Sequence, residues 1–285
     1  MSDVYGVFGY PVEHSWSPFI HGMFARQTGQ DIVYHLHEST PEQFREDLPD
    51  FFRDGGKGAN ITLPHKQVAA ELMDELTPRA RRAAAVNTIL ATDHGLLGEN
   101  TDGAGLVTDL KSNLGLVLRG SRILMLGAGG AARGTLGPLL ELKPRTLLVA
   151  NRTRDRALQL AQHFQDQGPV SACLFDEIGR ESFDLIINAT SASLLGEVPN
   201  IPETAVSSGS VCYDMSYGVR ETSFTAWGKR MGAGACAQGW GMLVEQAAEA
   251  FFLWRGVKPD SGPVLDALRK HVAAGTQPGA VQPDR

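Results

Sequence analysis

A chain of 285 residues with 42% hydrophobic content is long enough to bury a sizeable core and to form two domains of ordinary size. Its formal charge of -6, with no run of lysine and arginine, excludes a basic nucleic-acid face, and no apolar run reaches membrane-spanning length. Cys173, Cys212 and Cys236 have neither CxxC nor His/Cys ligand spacing, so they read as free thiols without a metal. With no signal-peptide pattern before Tyr5, the expectation is a cytoplasmic protein acting on small molecules.

Strands are predicted at 4–10 (VYGVFGY), 33–38 (VYHLHE) and 58–63 (GANITL), with helices in SPFIHGMFARQ, PEQFREDLPDFF and KQVAAELMDEL between and after them. VNTILAT and GLLGENTD, joined by Asp93, His94 and Gly95, read as a hairpin that feeds a helix from about Gly103 to Leu114. The apolar run RILML then meets a glycine turn and a helix, and further strands follow in RTLLVAN, ACLF, FDLIINAT and VCYDMSY. Strands alternating with helices in this way predict an α/β protein whose second domain is a doubly wound parallel sheet. After Gly239 come two helices, GMLVEQAAEAFFLWRG and SGPVLDALRKHVAA, with no strand behind them. They are expected to return to the first domain, giving a discontinuous domain of 1–102 plus 240–274, a domain of 103–239, and a cleft between them. Glycines at 103–105 and 239–241 suggest hinges, and the Gly, Pro and charge-rich stretch 275–285 reads as a disordered tail.

Gly127, Gly129 and Ala132 spell GxGxxA between the strand RILML and the next helix. The first glycine permits the tight turn, the second lets the backbone approach a pyrophosphate, and the small third residue packs helix on strand. A bare strand-to-helix turn is the alternative. Gly127, Ala128, Gly129, Gly130 and Ala131 are therefore candidate contacts to a dinucleotide lying on the helix N-terminus. The next strand ends in Asn151 and Arg152, followed by Thr153, Arg154, Asp155 and Arg156, where an NAD site carries a carboxylate. A guanidinium fork suits a phosphate, which favours NADP (NADPH) over NAD; the competing reading is a solvated charge cluster at a helix start.

Polar residues interrupt the first domain in HisSerTrpSerPro (14–18), AsnIleThrLeuProHisLys (60–66), AlaValAsnThr (85–88) and AsnThrAspGly (100–103), and the later helix opens with GlyTrpGlyMetLeu (239–243) and carries Gln246. Taken singly, Ser15 and Ser17 are also helix caps before Pro18, Asn60, Thr62 and Asn87 are also turn residues, Thr101 or Asp102 is also a helix N-cap, and Gln246 is also an ordinary polar helix position. Together and in this order the motifs resemble the shikimate dehydrogenase family over nearly the whole chain.

The resemblance implies interconversion of shikimate and 3-dehydroshikimate by hydride transfer at C3, with NADP, in aromatic amino-acid biosynthesis. It implies Lys66 and Asp102 as the paired catalytic residues, and Ser15, Ser17, Asn60, Thr62, Asn87, Tyr217 and Gln246 around the substrate. It also places Met215 and Gly239, with 127–131 and 151–156, on the cofactor. The charge and composition lead to the expectation of no nucleic-acid or membrane partner, and the chain is expected to be a monomer or homodimer. Removing hydride from a secondary alcohol requires a base in reach of the hydroxyl proton, a task Lys66 and Asp102 can share. Short neutral side chains that both donate and accept suit a polyol. Departures from the family pattern are Trp16 between the two serines, the loop after Tyr217, Ala192 and Ser193, and Gln238 where Asp is common. Trp16 is expected either to narrow the substrate mouth or to lie outside it. The rivals are a quinate dehydrogenase of the same superfamily and a non-catalytic NADP-binding sensor, the latter disfavoured by a retained proton-transfer pair.

Overall fold

The computed structural model describes residues 2–276 and 278, so most of the predicted tail 275–285 lies outside the described residues. The chain divides into two compact units, one made of Met1–Gly105 and the segment from Leu243 onward, the other of Leu106–Met242.

In the first unit, strands β1 (Asp3–Gly9), β2 (Ile32–Glu38), β3 (Gly58–Ile61), β4 (Glu75–Leu76), β5 (Thr88–Thr92) and β6 (Gly95–Glu99) form one sheet in the order β2-β1-β3-β5-β6-β4. Strands β1, β2 and β3 are parallel, and β5 and β6 run as an antiparallel hairpin whose register pairs Thr92 with Gly95. Helices α1 (Ser17–Thr28), α2 (Phe44–Arg53), α3 (Lys66–Glu71) and α4 (Pro78–Ala83) complete the N-terminal part. One sheet face packs a core of Phe8, Phe44, Leu48, Ile61, Val86 and Ile89. The predicted helix 66–76 ends early, at Glu71, and Glu75–Leu76 pairs instead with Leu97 and Gly98 of β6. Gly98 explains the change, because a side chain there would collide with Met73 and Leu76, which lie over it. Helices α4 and α8 (Ser223–Arg230) and strand β12 (Ala235–Gln238) are further elements outside those predicted from the sequence.

The second unit holds β7 (Arg122–Leu126), β8 (Thr146–Asn151), β9 (Val170–Leu174), β10 (Leu185–Asn188), β11 (Val211–Asp214) and β12, all parallel, in the order β12-β11-β10-β7-β8-β9. Renumbered within the unit this is the 3-2-1-4-5-6 sequence of doubly wound sheets, which reverses direction between β7 and β10. Helices α6 (Gly130–Glu141) and α7 (Arg154–Phe164) bury Ala132, Leu136, Leu139, Ala157, Leu160 and Phe164 in its core.

Two helices carry the chain from one unit to the other: α5 (Asp102–Thr108) and α9 (Trp240–Arg255). The predicted helix 103–114 is α5 followed by a single wider turn, Asp109–Asn113. Within the first unit α5 and α9 touch at Gly105, where a Cβ would lie 2.7 Å from the Gln246 backbone nitrogen, so only glycine permits this approach. The remainder of α9, with α10 (Ser261–Ala273), packs on the first sheet: Trp254 lies over Gly58 and donates its indole N–H to the Ile89 carbonyl at 2.9 Å, and Arg255 pairs with Asp3 at 2.5 Å.

Candidate active site

Three polar stretches of the first unit converge. Lys66 opens α3 just past the β3 strand, and Asp102 opens α5, where a carboxylate is favoured by the free N–H groups of the first turn. Lys66 Nζ donates to Asp102 Oδ2 at 2.5 Å, with the two side chains 13% and 5% exposed. The Asp102 backbone N–H donates to Asn100 Oδ1 at 3.2 Å, which leaves the Asp102 carboxylate free for other partners.

Asn87 organises the group. Its Nδ2 lies 2.8 Å from Asp102 Oδ1, 3.0 Å from Thr101 Oγ1 and 3.2 Å from Gln246 Oε1, so two protons are shared among three acceptors. Its Oδ1 accepts from the Thr101 backbone N–H at 2.7 Å and from the Thr88 hydroxyl at 3.0 Å. Asn60 Nδ2 reaches the Asn87 carbonyl and Thr88 Oγ1, both at 3.2 Å. Lys66, Asp102, Asn87, Asn60 and Gln246 thus form one connected network, with Thr88, which sequence reasoning passed over, and Thr101, read there only as a helix cap, as further members. The Thr62 hydroxyl has no hydrogen-bond partner among the described residues, and neighbouring Pro64 follows a cis peptide bond.

At the start of α1, Ser15 Oγ donates to Ser17 Oγ at 3.1 Å and accepts the Ser17 backbone N–H at 3.2 Å. Of the two serines the sequence offered as caps, Ser15 accepts the first N–H of α1, and Ser17 makes no cap bond. Trp16 is 2% exposed and packs against Phe19 and His271, which puts its indole in the core and not on an open wall.

Behind these residues His21 is fully buried, stacked on Tyr34 at 4.4 Å, and neither of its ring nitrogens completes a hydrogen bond. Burial pushes its pKa down to about 3, outweighing the nearby Asn60 amide, which favours the charged ring. The folded protein keeps His21 neutral, whereas the unfolded chain takes up a proton below about pH 6.5. The unfolded state therefore binds more protons between pH 6.5 and about 3, and stability falls as pH drops through that window. This residue alone is expected to remove about 2 kcal/mol between pH 7 and pH 5. Urea unfolding of His21→Phe should show a pH 7 to pH 5 loss smaller than that of the unaltered protein by this amount; equal losses would refute the assignment.

In the second unit Gly127 follows β7 with φ +103°, and a Cβ there would meet Thr190 and the Ala189 carbonyl of the loop after β10. The glycine turn thus sits where the sheet order reverses. Gly129 caps α6 with no side-chain bond to the helix N–H groups, and the space its missing side chain would enter is open. Open space over an uncapped helix N-terminus fits the pyrophosphate of a dinucleotide. At the end of β8, Asn151 Nδ2 donates to the Thr153 carbonyl at 2.9 Å, and Asp155 lies in the first turn of α7. Arg154 is engaged in an ion pair with Glu177, while Arg152 and Arg156 are exposed and make no ion pair among the described residues.

Met215 and Gly239 are brought together, since a Cβ at Gly239 would stand 2.4 Å from the Met215 carbonyl oxygen. Tyr217 packs against Trp240 with ring centroids 4.5 Å apart and planes tilted by 41°, and burial pushes its phenol up to about 12. Gln238 Oε1 accepts the Gly218 N–H at 2.8 Å and its Nε2 donates to the Arg220 carbonyl at 3.3 Å. An aspartate, acceptor only, holds one of those two groups; the amide holds both and so fixes the loop after Tyr217 without prolines.

A parallel sheet of this order with a glycine turn at its reversal point defines a dinucleotide-binding α/β protein. Family models described as the shikimate dehydrogenase substrate binding domain, shikimate / quinate 5-dehydrogenase, and the shikimate 5'-dehydrogenase C-terminal domain match residues 7–89, 109–198 and 239–269. The chain belongs to the shikimate dehydrogenase family. The shikimate dehydrogenase (NADP(+)) of Aeromonas hydrophila subsp. hydrophila is 56% identical over 271 residues, 95% of this chain and 98% of that protein. An Ael1 enzyme from Pseudomonas putida matches with TM-score 0.87 and 41% identity over 94% of this chain and 98% of its own. The shikimate 5-dehydrogenase of Thermus thermophilus, solved in complex with NADP(H) and shikimate, matches with TM-score 0.82 and 32% identity over 94% and 99%. No helix among the described residues is long and apolar enough to cross a membrane.

Proposed function

We infer that this protein is an NADP-dependent oxidoreductase that interconverts shikimate and 3-dehydroshikimate at C3, in the shikimate pathway of aromatic amino-acid biosynthesis. The observation that carries the mechanism is the contact of Lys66 with Asp102 inside a network of neutral amides and hydroxyls. Residues 1–102 with 240–274 serve as the substrate domain and 103–239 as the NADP domain, in a cytoplasmic monomer or homodimer.

NADP supplies the hydride-accepting centre when bound, with Gly127 to Ala131 on the pyrophosphate and Arg152 and Arg156 on the 2′-phosphate. Met215 and Gly239 complete the cofactor wall. Lys66 and Asp102 exchange the C3 hydroxyl proton: their short contact lets either group take a proton while the other compensates its charge. Asn87 holds Asp102 Oδ1, which leaves Oδ2 aimed at Lys66. Ser15, Ser17, Asn60, Thr62, Tyr217 and Gln246 meet the carboxylate and remaining hydroxyls of the substrate, replacing water with groups that donate and accept.

The test is initial-rate absorbance of reduced nicotinamide with purified protein, using shikimate or quinate against NADP or NAD. The expected outcome is a clear preference for shikimate with NADP. Silence in all four combinations from folded, NADP-binding protein would refute the reading.

A further inference from the structure

Tyr34 belongs to β2, yet its hydroxyl crosses the intervening strand β1 to reach Asn60 on β3, lying 2.7 Å from Asn60 Oδ1. The direction of that bond is fixed by chemistry elsewhere. Asn60 Nδ2 faces the Asn87 backbone carbonyl at 3.2 Å, and a carbonyl only accepts, so the amide nitrogen must lie on that side and the amide oxygen on the Tyr34 side. Tyr34 is therefore the donor. Burial holds its phenol well above the usual value, so it keeps its proton at any working pH.

The ring that carries this hydroxyl is held from behind. His21 lies parallel to it, with centroids 4.4 Å apart and planes 8° from each other, and Trp254 flanks it at 6.4 Å. With both Nδ2 protons engaged and Tyr34 donating to Oδ1, Asn60 presents an acceptor and has no spare donor. Such a group accepts from a hydroxyl and does not bind a carboxylate.

We propose that Tyr34 is a positioning residue for substrate recognition, which fixes Asn60 as an acceptor for a ring hydroxyl. This rests on the reading that Asn60 faces substrate. Without the phenol hydroxyl the Asn60 oxygen loses its internal donor and the amide is no longer held with its acceptor presented to the polyol, while Lys66 and Asp102 keep their own contacts.

The experiment compares Tyr34→Phe and Asn60→Ala with the unaltered protein, measuring initial rates against shikimate and against NADP separately, together with melting temperature. Tyr34→Phe keeps the ring that stacks on His21. Its shikimate KM is expected to rise about tenfold, with kcat and the NADP KM within about twofold. Asn60→Ala should raise the same KM at least as much. An unchanged shikimate KM in Tyr34→Phe beside a raised one in Asn60→Ala would overturn the role of Tyr34 and leave the site reading standing. A fall in kcat and melting temperature with both KM values raised would reduce Tyr34 to a core residue. Unchanged KM in Asn60→Ala would remove the site reading and the proposal with it.

Discussion

Lys66→Met is expected to lower kcat for shikimate oxidation by about 10²–10⁴-fold, the range for losing a positioned general acid or base, while the shikimate KM stays within about threefold. Methionine preserves most of the lysine stem and removes the ammonium. Asp102, 3% exposed, then keeps Asn87 on one oxygen and has nothing charged on the other. Breaking a mostly buried pair by deleting one partner destabilises by about 3 kcal/mol, so melting is followed alongside the rates. A variant that melts lower yet remains folded at assay temperature separates chemistry from collapse. If kcat is near that of the unaltered protein under those conditions, Lys66 is not the principal proton-transfer group.

Arg152→Ala is expected to raise the KM for NADP by about 10–100-fold and to leave the much weaker use of NAD nearly unchanged. A charge-assisted hydrogen bond contributes about 1.5–3 kcal/mol, and NAD carries no 2′-phosphate to lose it. Arg156→Ala should act in the same direction. Arg154→Ala should have the smallest effect of the three, because Arg154 is already engaged by Glu177. Equal losses for NADP and NAD in Arg152→Ala would mean that the guanidinium does not read the 2′-phosphate.

How much of this was legible in the sequence differs by element. The parallel sheet of the second unit was readable because its strands are continuous apolar runs, as sheets buried on both faces require. Helix α4 was also signalled, by Thr77 capping the Ala80 N–H and Pro78 behind it, as was α8 by Thr222 capping Thr225; both are short and follow loop-like text, so the signals were passed over. Strand β4 was not legible: Glu75 and Leu76 have no strand pattern and acquire one only by pairing with β6. In the candidate site, the polar motifs announced their members, but not the partners. The use of Thr88 and Tyr34 depends on contacts across strands distant in sequence, and no local spacing encodes them.

The first unit is split in sequence, and that has a consequence during synthesis. Its sheet is complete once Glu99 has been made, but Trp254, which lies over Gly58, Arg255, which pairs with Asp3, and His271, which packs on Trp16, come after the whole stretch 106–242. At about 5–20 residues per second the ribosome takes on the order of ten seconds to deliver them. For that interval the nascent sheet carries an uncovered aromatic face while the second unit, contiguous and self-contained, has all it needs to fold. The unit that begins the chain is therefore the last to be completed.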